Sequence, residues 1–235
     1  MTDRPRSPNL KRRAALPGGR DRVLIVGLGR FGSAVAHELM ALGSEVLGID
    51  ASARAVQDHS ALLTHVLEAD TTDPAVLEQI GVSDFDVAVV GIGTDIEASV
   101  LTTAALIDTG IPNIWAKAVT EAHGRILERV GAHHVIYPER DMGRRVAHLV
   151  NGRVLDWFQL DENFAMVETT VPETLVGQSL ADSGIRARYG VTVVSIKPAN
   201  GQFTYATPDT VLAAGDILVV AGERSASERF AYLSR

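Results

Sequence analysis

The residues best suited to chemistry in this 235-residue chain lie between Arg22 and Asp50. Arg22-Val-Leu-Ile-Val-Gly27-Leu-Gly29-Arg30-Phe31-Gly32 reads as a strand running into a glycine turn that opens a helix. Gly27 suits a tight turn, Gly29 lets backbone approach a pyrophosphate, and Gly32 lets helix and strand pack closely. A helix start leaves unpaired N–H groups and a partial positive charge, so an anion belongs there. Asp50 ends the next strand, Glu45-Val-Leu-Gly-Ile-Asp50, eighteen residues after Gly32. There it can accept hydrogen bonds from ribose hydroxyls. The loop Gly27, Gly29, Arg30, Phe31, Gly32 with Asp50 is therefore a candidate nucleotide site. Arg30 adds a cation that suits a terminal phosphate, where a charge-assisted hydrogen bond is worth about 1.5–3 kcal/mol.

Strands and helices must alternate to hold these groups. Short apolar runs predict strands at 22–27, 45–50, 64–68, 86–91, 113–117 and 134–137. Helices are predicted at 31–42, 52–60, 73–80, 95–110 and 120–130, the first with Phe31, Val35, Leu39 and Leu42 on its apolar face. Continuous apolar strands such as Val87-Ala-Val-Val90 suit a parallel sheet covered on both faces. Right-handed crossovers then give a doubly wound Rossmann sheet of order 3-2-1-4-5-6. Ligands of such sheets lie across the carboxyl ends of the strands. That edge adds Asp70 after strand three, as an adenine acceptor or simply a turn acid. It also adds Gly91 in Gly91-Ile92-Gly93 after strand four, and Lys117 after strand five.

The segment Pro138 to Val150 reads as a helix with Met142, Val146, Leu149 and Val150 on one face, ended by Gly152. Nothing in the first domain calls for that face, so it is expected to pack in the second domain, on another subunit, or as an ordinary helix. Beyond it the pattern predicts strands at 164–171, 191–197 and 215–222, a short helix before Arg186, and a hairpin turn at Ala199-Asn200-Gly201. The organisation is thus a basic tail over 1–20, read as disordered, and a nucleotide-binding Rossmann domain over 21–140. A crossover or linker helix over 141–158 and a small α+β domain over 159–235 follow. The second domain is thin in core and gains by pairing with its own copy.

Composition narrows the function. The formal charge is −7 and cysteine is absent, which argues against a nucleic-acid-binding body and removes thiolate chemistry. No apolar run reaches the ~20 residues of a membrane span. Any dealings with a membrane are therefore expected to go through a partner. The tail, with Arg4, Arg6, Lys11, Arg12, Arg13 and Arg20, suits anionic lipid, an acidic partner, or no partner at all. His133-His134 precedes a strand where neighbours point to opposite faces, which disfavours a shared metal. There is no nucleophile elbow, zincin or Walker motif, and the second domain offers no catalytic constellation. A nucleotide site without an evident reaction favours a sensor over an enzyme. The alternatives are an NAD-dependent oxidoreductase with an intersubunit active site, and a redox-sensing transcription regulator.

Several stretches together carry a resemblance: Gly27-Leu-Gly-Arg-Phe-Gly32, Glu68-Ala-Asp-Thr-Thr-Asp73, Ala116-Lys-Ala118, Arg129-Val-Gly-Ala132 and Tyr137-Pro-Glu-Arg-Asp-Met-Gly143. With Ile185-Arg-Ala-Arg-Tyr-Gly190 and Gly215-Asp-Ile-Leu-Val219, they resemble the RCK or KTN domains of the KtrA/TrkA-type cytoplasmic subunits of bacterial potassium uptake systems. The resemblance implies a homodimer assembling into an octameric ring on a KtrB/TrkH-like membrane subunit that moves K⁺. The ring would lie in the cytoplasm at the inner face of the membrane. It implies ATP/ADP or NAD(H) in the first domain, with Arg30 at the terminal phosphates and Asp50 at the ribose. Glu139 corresponds to an acid that helps hold a cation at a dimer interface. Some branches bind cyclic di-AMP in the second domain, near Ile185, Arg186 and the turn around Asn200. Glu68-Ala-Asp70 departs from relatives that have glycine before the aspartate.

Overall fold

The computed structural model describes residues 21–150 and 154–233; the basic tail and the helix-ending Gly152 lie outside them. The chain divides into two compact units between Pro138 and Glu139. In the first, β1 (Arg22–Val26), β2 (Glu45–Asp50), β3 (His65–Glu68), β4 (Val87–Val90), β5 (Asn113–Lys117) and β6 (His134–Ile136) form a sheet. Its order is β3-β2-β1-β4-β5-β6 and every pair is parallel, which is the expected doubly wound arrangement. The helices α1 (Arg30–Ala41), α2 (Ala53–His59), α3 (Pro74–Ile80), α4 (Ile96–Asp108) and α5 (Glu121–Val130) fill the crossovers.

Strand alternation explains why β1 is apolar throughout. Leu24 and Val26 join a core with Leu77, Leu106, Ile114 and Leu127, whereas Val23 and Ile25 join a second core with Leu28, Ala36 and Val46. A strand feeding two cores has no position for a polar side chain. The helix starts follow local chemistry. Ser52, Asp73, Asp95 and Thr120 each accept a backbone N–H as N-caps, and Pro74 occupies the first turn of α3. Leu42 departs from expectation: α1 stops at Ala41, so Leu42 is a C-cap residue at 73% exposure rather than part of the apolar face.

The second unit is antiparallel, with order β10-β9-β11-β8-β7. Its strands are β7 (Asp156–Gln159), β8 (Phe164–Thr170), β9 (Val191–Lys197), β10 (Thr204–Tyr205) and β11 (Ile217–Glu223). Helices α6 (Pro138–Val150), α7 (Leu180–Ser183), α8 (Ile185–Tyr189) and α9 (Arg224–Ala231) accompany them. Elements the sequence did not predict include β7, β10 and α9, and the one expected short helix is split into α7 and α8. β7 lies inside the stretch read as linker: Trp157 pairs with Val167 across the sheet and is buried, so this sheet begins before residue 159. β10 is only two residues long. α9 buries Ala226, Phe230 and Ala231, and Phe230 meets Tyr189 edge-on at 5.4 Å. With α9 in place, this core is fuller than three strands and a short helix suggested.

Candidate functional site

The glycine turn lies at the carboxyl end of β1, and each glycine has a distinct surrounding. Gly27 has φ +89° and donates its N–H to the Ile49 carbonyl at 2.8 Å. A Cβ there would come within 3.1 Å of the Ile92 nitrogen. A Cβ on Gly32 would fall on the Gly27 carbonyl oxygen, and one on Gly91 would meet that same oxygen at 3.1 Å. Three backbone segments therefore touch where only glycine fits. Gly29 differs: a Cβ would have nothing within 4 Å, so the space above it is open to a ligand.

Gly29 is also the N-cap of α1. No side chain caps that end, unlike the starts of α2 to α5, and no acid stands in its first turn. Helix N-terminal N–H groups and the positive end of the dipole thus face outward beside exposed Arg30. Asp50 ties this turn to β2. Its Oδ2 accepts the Leu28 N–H at 2.7 Å and its Oδ1 accepts the Ser52 N–H at 2.8 Å. A carboxylate has about four lone-pair sites, so these bonds leave capacity for hydroxyl donors.

Lys117 ends β5 at 8% exposure. Its ammonium sits 5.7 Å from the Phe31 ring centre, and a Cβ on Gly93 would stand 3.2 Å from Nζ. The fold thus brings the start of α1, the loop after β4 and the end of β5 together. Asp70 is exposed after β3, where its Oδ1 accepts both the N–H of Thr72 at 3.0 Å and its hydroxyl at 2.7 Å. Those two bonds hold its carboxyl below the usual range. The turn role is the one the bonds display.

His123 was missed by sequence reasoning. It is 1% exposed in the first turn of α5, and its Nδ1 accepts the Val119 N–H at 3.4 Å. Its Nε2 is buried without a hydrogen-bond partner, and burial lowers its pKa. Only the spacing from Thr120 hinted at an inward position. The His133-His134 pair splits as expected: His133 Nδ1 accepts the Ile114 N–H, while His134 stacks on Trp115 at 4.0 Å. Among the described residues no group of three or more His, Cys, Asp or Glu is arranged to hold a metal.

Glu139 lies exposed in the first turn of α6, in the second unit. There α6 is latched to β7. Arg145 makes a two-pronged pair with Asp156, at 2.8 and 2.6 Å, and its guanidinium lies 4.6 Å from the Phe158 ring centre. His148 stacks on Trp157 at 4.3 Å. A cavity of about 500 Å³ adjoins the latch, lined in part by Arg144, Trp157 and Leu160. Met142, Val146 and Val150 remain exposed. Ile185 belongs to the second core, and Arg186 donates to the Thr192 hydroxyl at 3.0 Å.

The latch has an acid limit. Hydrogen bonding from Arg145 is the main cause that holds Asp156 below the ordinary carboxylate range. A carboxyl depressed in the folded state contributes stability above its unfolded pKa of about 3.9 and loses it as pH falls through the lower folded value. Asp156→Asn should therefore lower Tm by roughly 2–4 °C at neutral pH. The deficit should narrow below about pH 4. A deficit independent of pH, read by thermal melts across that range, would reject the pairing as its cause.

Two family models match in tandem: the TrkA-N domain over residues 23–138 and the TrkA-C domain over 165–233. The chain is 37% identical over 207 residues to Ktr system potassium uptake protein C of Bacillus subtilis, covering 88% of this chain and 94% of that protein. Ktr system potassium uptake protein A of the same organism is 35% identical over 88% of this chain and 93% of its own. Among solved structures, the GsuK RCK domain superposes with a TM-score of 0.63 at 20% identity. That match takes in 92% of this chain and 48% of the other, and it speaks to fold alone. Paired domain matches and more than a third identity across nearly whole relatives have one meaning: the chain belongs to the family of the Ktr system potassium uptake proteins, built from a TrkA-N and a TrkA-C domain.

Proposed function

We propose that this chain is a nucleotide-gated regulatory subunit of a potassium uptake system, switching a membrane-embedded K⁺-translocating partner without itself catalysing a reaction. The observation that carries the reading is the uncapped start of α1, open above Gly29 and flanked by Arg30, in a chain of the Ktr family. ATP or ADP takes the site, with NAD(H) as the alternative ligand. The phosphates lie on the α1 N-terminus with Arg30 and Lys117, the ribose on Asp50, and the adenine toward Asp70. Glu139 contributes to a cation site at a subunit interface. Cyclic di-AMP is a second ligand, taken at the TrkA-C domain near Arg186 and Asn200.

A ligand shifts a conformational equilibrium only through different affinities for the two states. ATP and ADP differ by one phosphate, and Arg30 is the exposed cation at the helix start that can sense it. The apolar face of α6 (Met142, Val146 and Val150) fits a contact between subunits of an octameric ring. The ring would work in the cytoplasm against the inner membrane face, held there by its partner.

Calorimetric titration with ATP, ADP, NADH and cyclic di-AMP, alongside mass in solution, tests the reading. ATP and ADP binding by a ring-sized oligomer supports it. Binding of NADH alone by a dimer returns the intersubunit oxidoreductase to the front. Arg30→Ala should weaken ATP binding by roughly 10–100-fold and ADP binding by much less. Equal losses would remove Arg30 from the terminal phosphate.

A further inference from the structure

Two histidines meet outside the site described above. His37 lies on α1 and His59 ends α2. Both helices pack on the core of Val23, Ile25 and Leu28, through Val35, Leu39 and Ala55. The two ring centres are 5.4 Å apart and the ring planes differ by 33°. His59 is held as a metal ligand needs to be. Its Nδ1 stands 2.8 Å from the Ala55 carbonyl oxygen, which can only accept a hydrogen bond. In the neutral ring Nδ1 therefore carries the proton and Nε2 keeps its lone pair. A backbone carbonyl in that position fixes the tautomer and makes the outer nitrogen more basic, as it does behind metal-bound imidazoles generally. His37 is exposed, and among the described residues no hydrogen bond fixes its ring, so it is free to turn toward a shared ligand.

The separation selects a coordination geometry. A Zn–N bond of about 2.0–2.1 Å places the metal about 3.2 Å from each ring centre. Two imidazoles at the tetrahedral angle then stand about 5.2 Å apart, centre to centre. At the right angle of a square-planar site they would stand about 4.5 Å apart. The observed 5.4 Å fits the tetrahedral preference of Zn²⁺. The local field agrees with a cation. His59 lies in the last turn of α2, where the helix dipole favours positive charge. Glu38 and Asp58, each next in sequence to one of the two rings, are exposed acids. Among the described residues no third His, Cys, Asp or Glu joins the pair, so water completes the coordination.

We infer that His37 and His59 form a two-imidazole site for Zn²⁺ that clamps α1 to α2. Two protein ligands and open positions make this a reversible site rather than a closed structural one. Imidazole nitrogens suit Zn²⁺, whereas Mg²⁺ and Ca²⁺ prefer oxygen ligands, so the pair selects a transition metal over the common hard cations. His37 stands eight residues beyond Gly29 on the same helix, about 12 Å along its axis at 1.5 Å per residue. The clamp therefore leaves the glycine turn uncovered. The inference goes beyond the nucleotide switch and does not depend on it.

The test is calorimetric titration of the full, metal-free chain with Zn²⁺. The parent should bind zinc at this pair, and His37→Ala or His59→Ala should each weaken that binding by at least about tenfold. His65→Ala removes an exposed histidine outside the pair, and Glu139→Gln removes the acid of the proposed interface cation site; both should bind zinc like the parent. Zinc at about a hundredfold excess over its Kd should raise the Tm of the parent by about 5 °C or more and leave that of His37→Ala unmoved. X-ray absorption of the loaded protein should show two imidazole nitrogens at about 2.0 Å from the metal. Zinc affinity unchanged in His37→Ala, or a spectrum with at most one imidazole, overturns the inference. So does a parent that takes up no zinc. ADP titration of the same variants reads the nucleotide switch separately, so either reading can fail without the other.

Discussion

Gly32→Ala is expected to cost this protein its nucleotide binding and several degrees of Tm. The added Cβ would fall on the Gly27 carbonyl oxygen, and neither side of that contact can yield. Gly27 is held by its bond to Ile49 and by a φ of +89°, which few other residues adopt. The start of α1 is held by the Ser33 N–H and hydroxyl, both donating to the Gly29 carbonyl, at 2.9 and 2.8 Å. Relief requires α1 to move off the sheet, and overpacking of this kind costs typically about 1–3 kcal/mol. That movement also displaces the helix N-terminus from the phosphates, so ADP affinity should fall by about a hundredfold or more.

Gly29→Ala supplies the contrast. Gly29 has φ −67° and open space where its Cβ would stand, so Tm should hold while binding falls. Thermal melts with and without ADP separate the two outcomes. A Gly32→Ala protein that binds ADP like the parent would refute the loop as the phosphate site.

Asp50→Ala should have the next largest effect, because the carboxylate that ties the turn to β2 is also the proposed acceptor for the ribose. Its removal leaves the N–H groups of Leu28 and Ser52 without their acceptor. An unsatisfied donor costs about 1–3 kcal/mol where water cannot replace the partner, and the Leu28 bond is the more buried of the two. The glycine turn then loses its tie to β2, and a ribose loses its acceptor. ADP affinity is expected to drop by roughly 10–100-fold. Asp50→Asn keeps the shape but turns an amide toward one of the two N–H donors, so it should lie between Ala and the parent. Calorimetry on the three proteins decides the matter. Unchanged ADP affinity in Asp50→Ala would exclude the ribose role and leave Asp50 as a loop tie alone.

The two cations of the proposed site differ in how they could be found. Arg30 is read from the motif, because it lies inside the glycine loop. Lys117 lies 87 positions further on and becomes relevant because β4 and β5 are adjacent in the sheet. Its burial beside Phe31 and Gly93 belongs to the packed domain. The same holds for Asp50. Its place at the end of a strand was legible, but its bond to Leu28 joins residues 22 positions apart.

The sequence by itself determined the first domain's strand order, the tight turn at Gly27, the close packing at Gly32 and the family resemblance. The strand order follows from short-range rules: apolar runs of strand length, caps and prolines at helix starts, and a fixed crossover handedness; the resemblance rests on the motif stretches themselves. Tertiary structure alone decided the rest. Leu42 faces water because α1 ends one residue before it, which a helical period cannot reveal. β7 is a strand because β8 offers it an edge, and α9 is a helix whose Phe230 closes a core built from strands far apart in sequence. The Arg145–Asp156 latch joins a helix to a strand that local pattern did not predict. Periodicity records how a segment relates to its own backbone. Burial and pairing depend on which segments meet, and a segment's own periodicity does not record its partner, whether that is the neighbouring β8 for β7 or the distant strands that α9 covers.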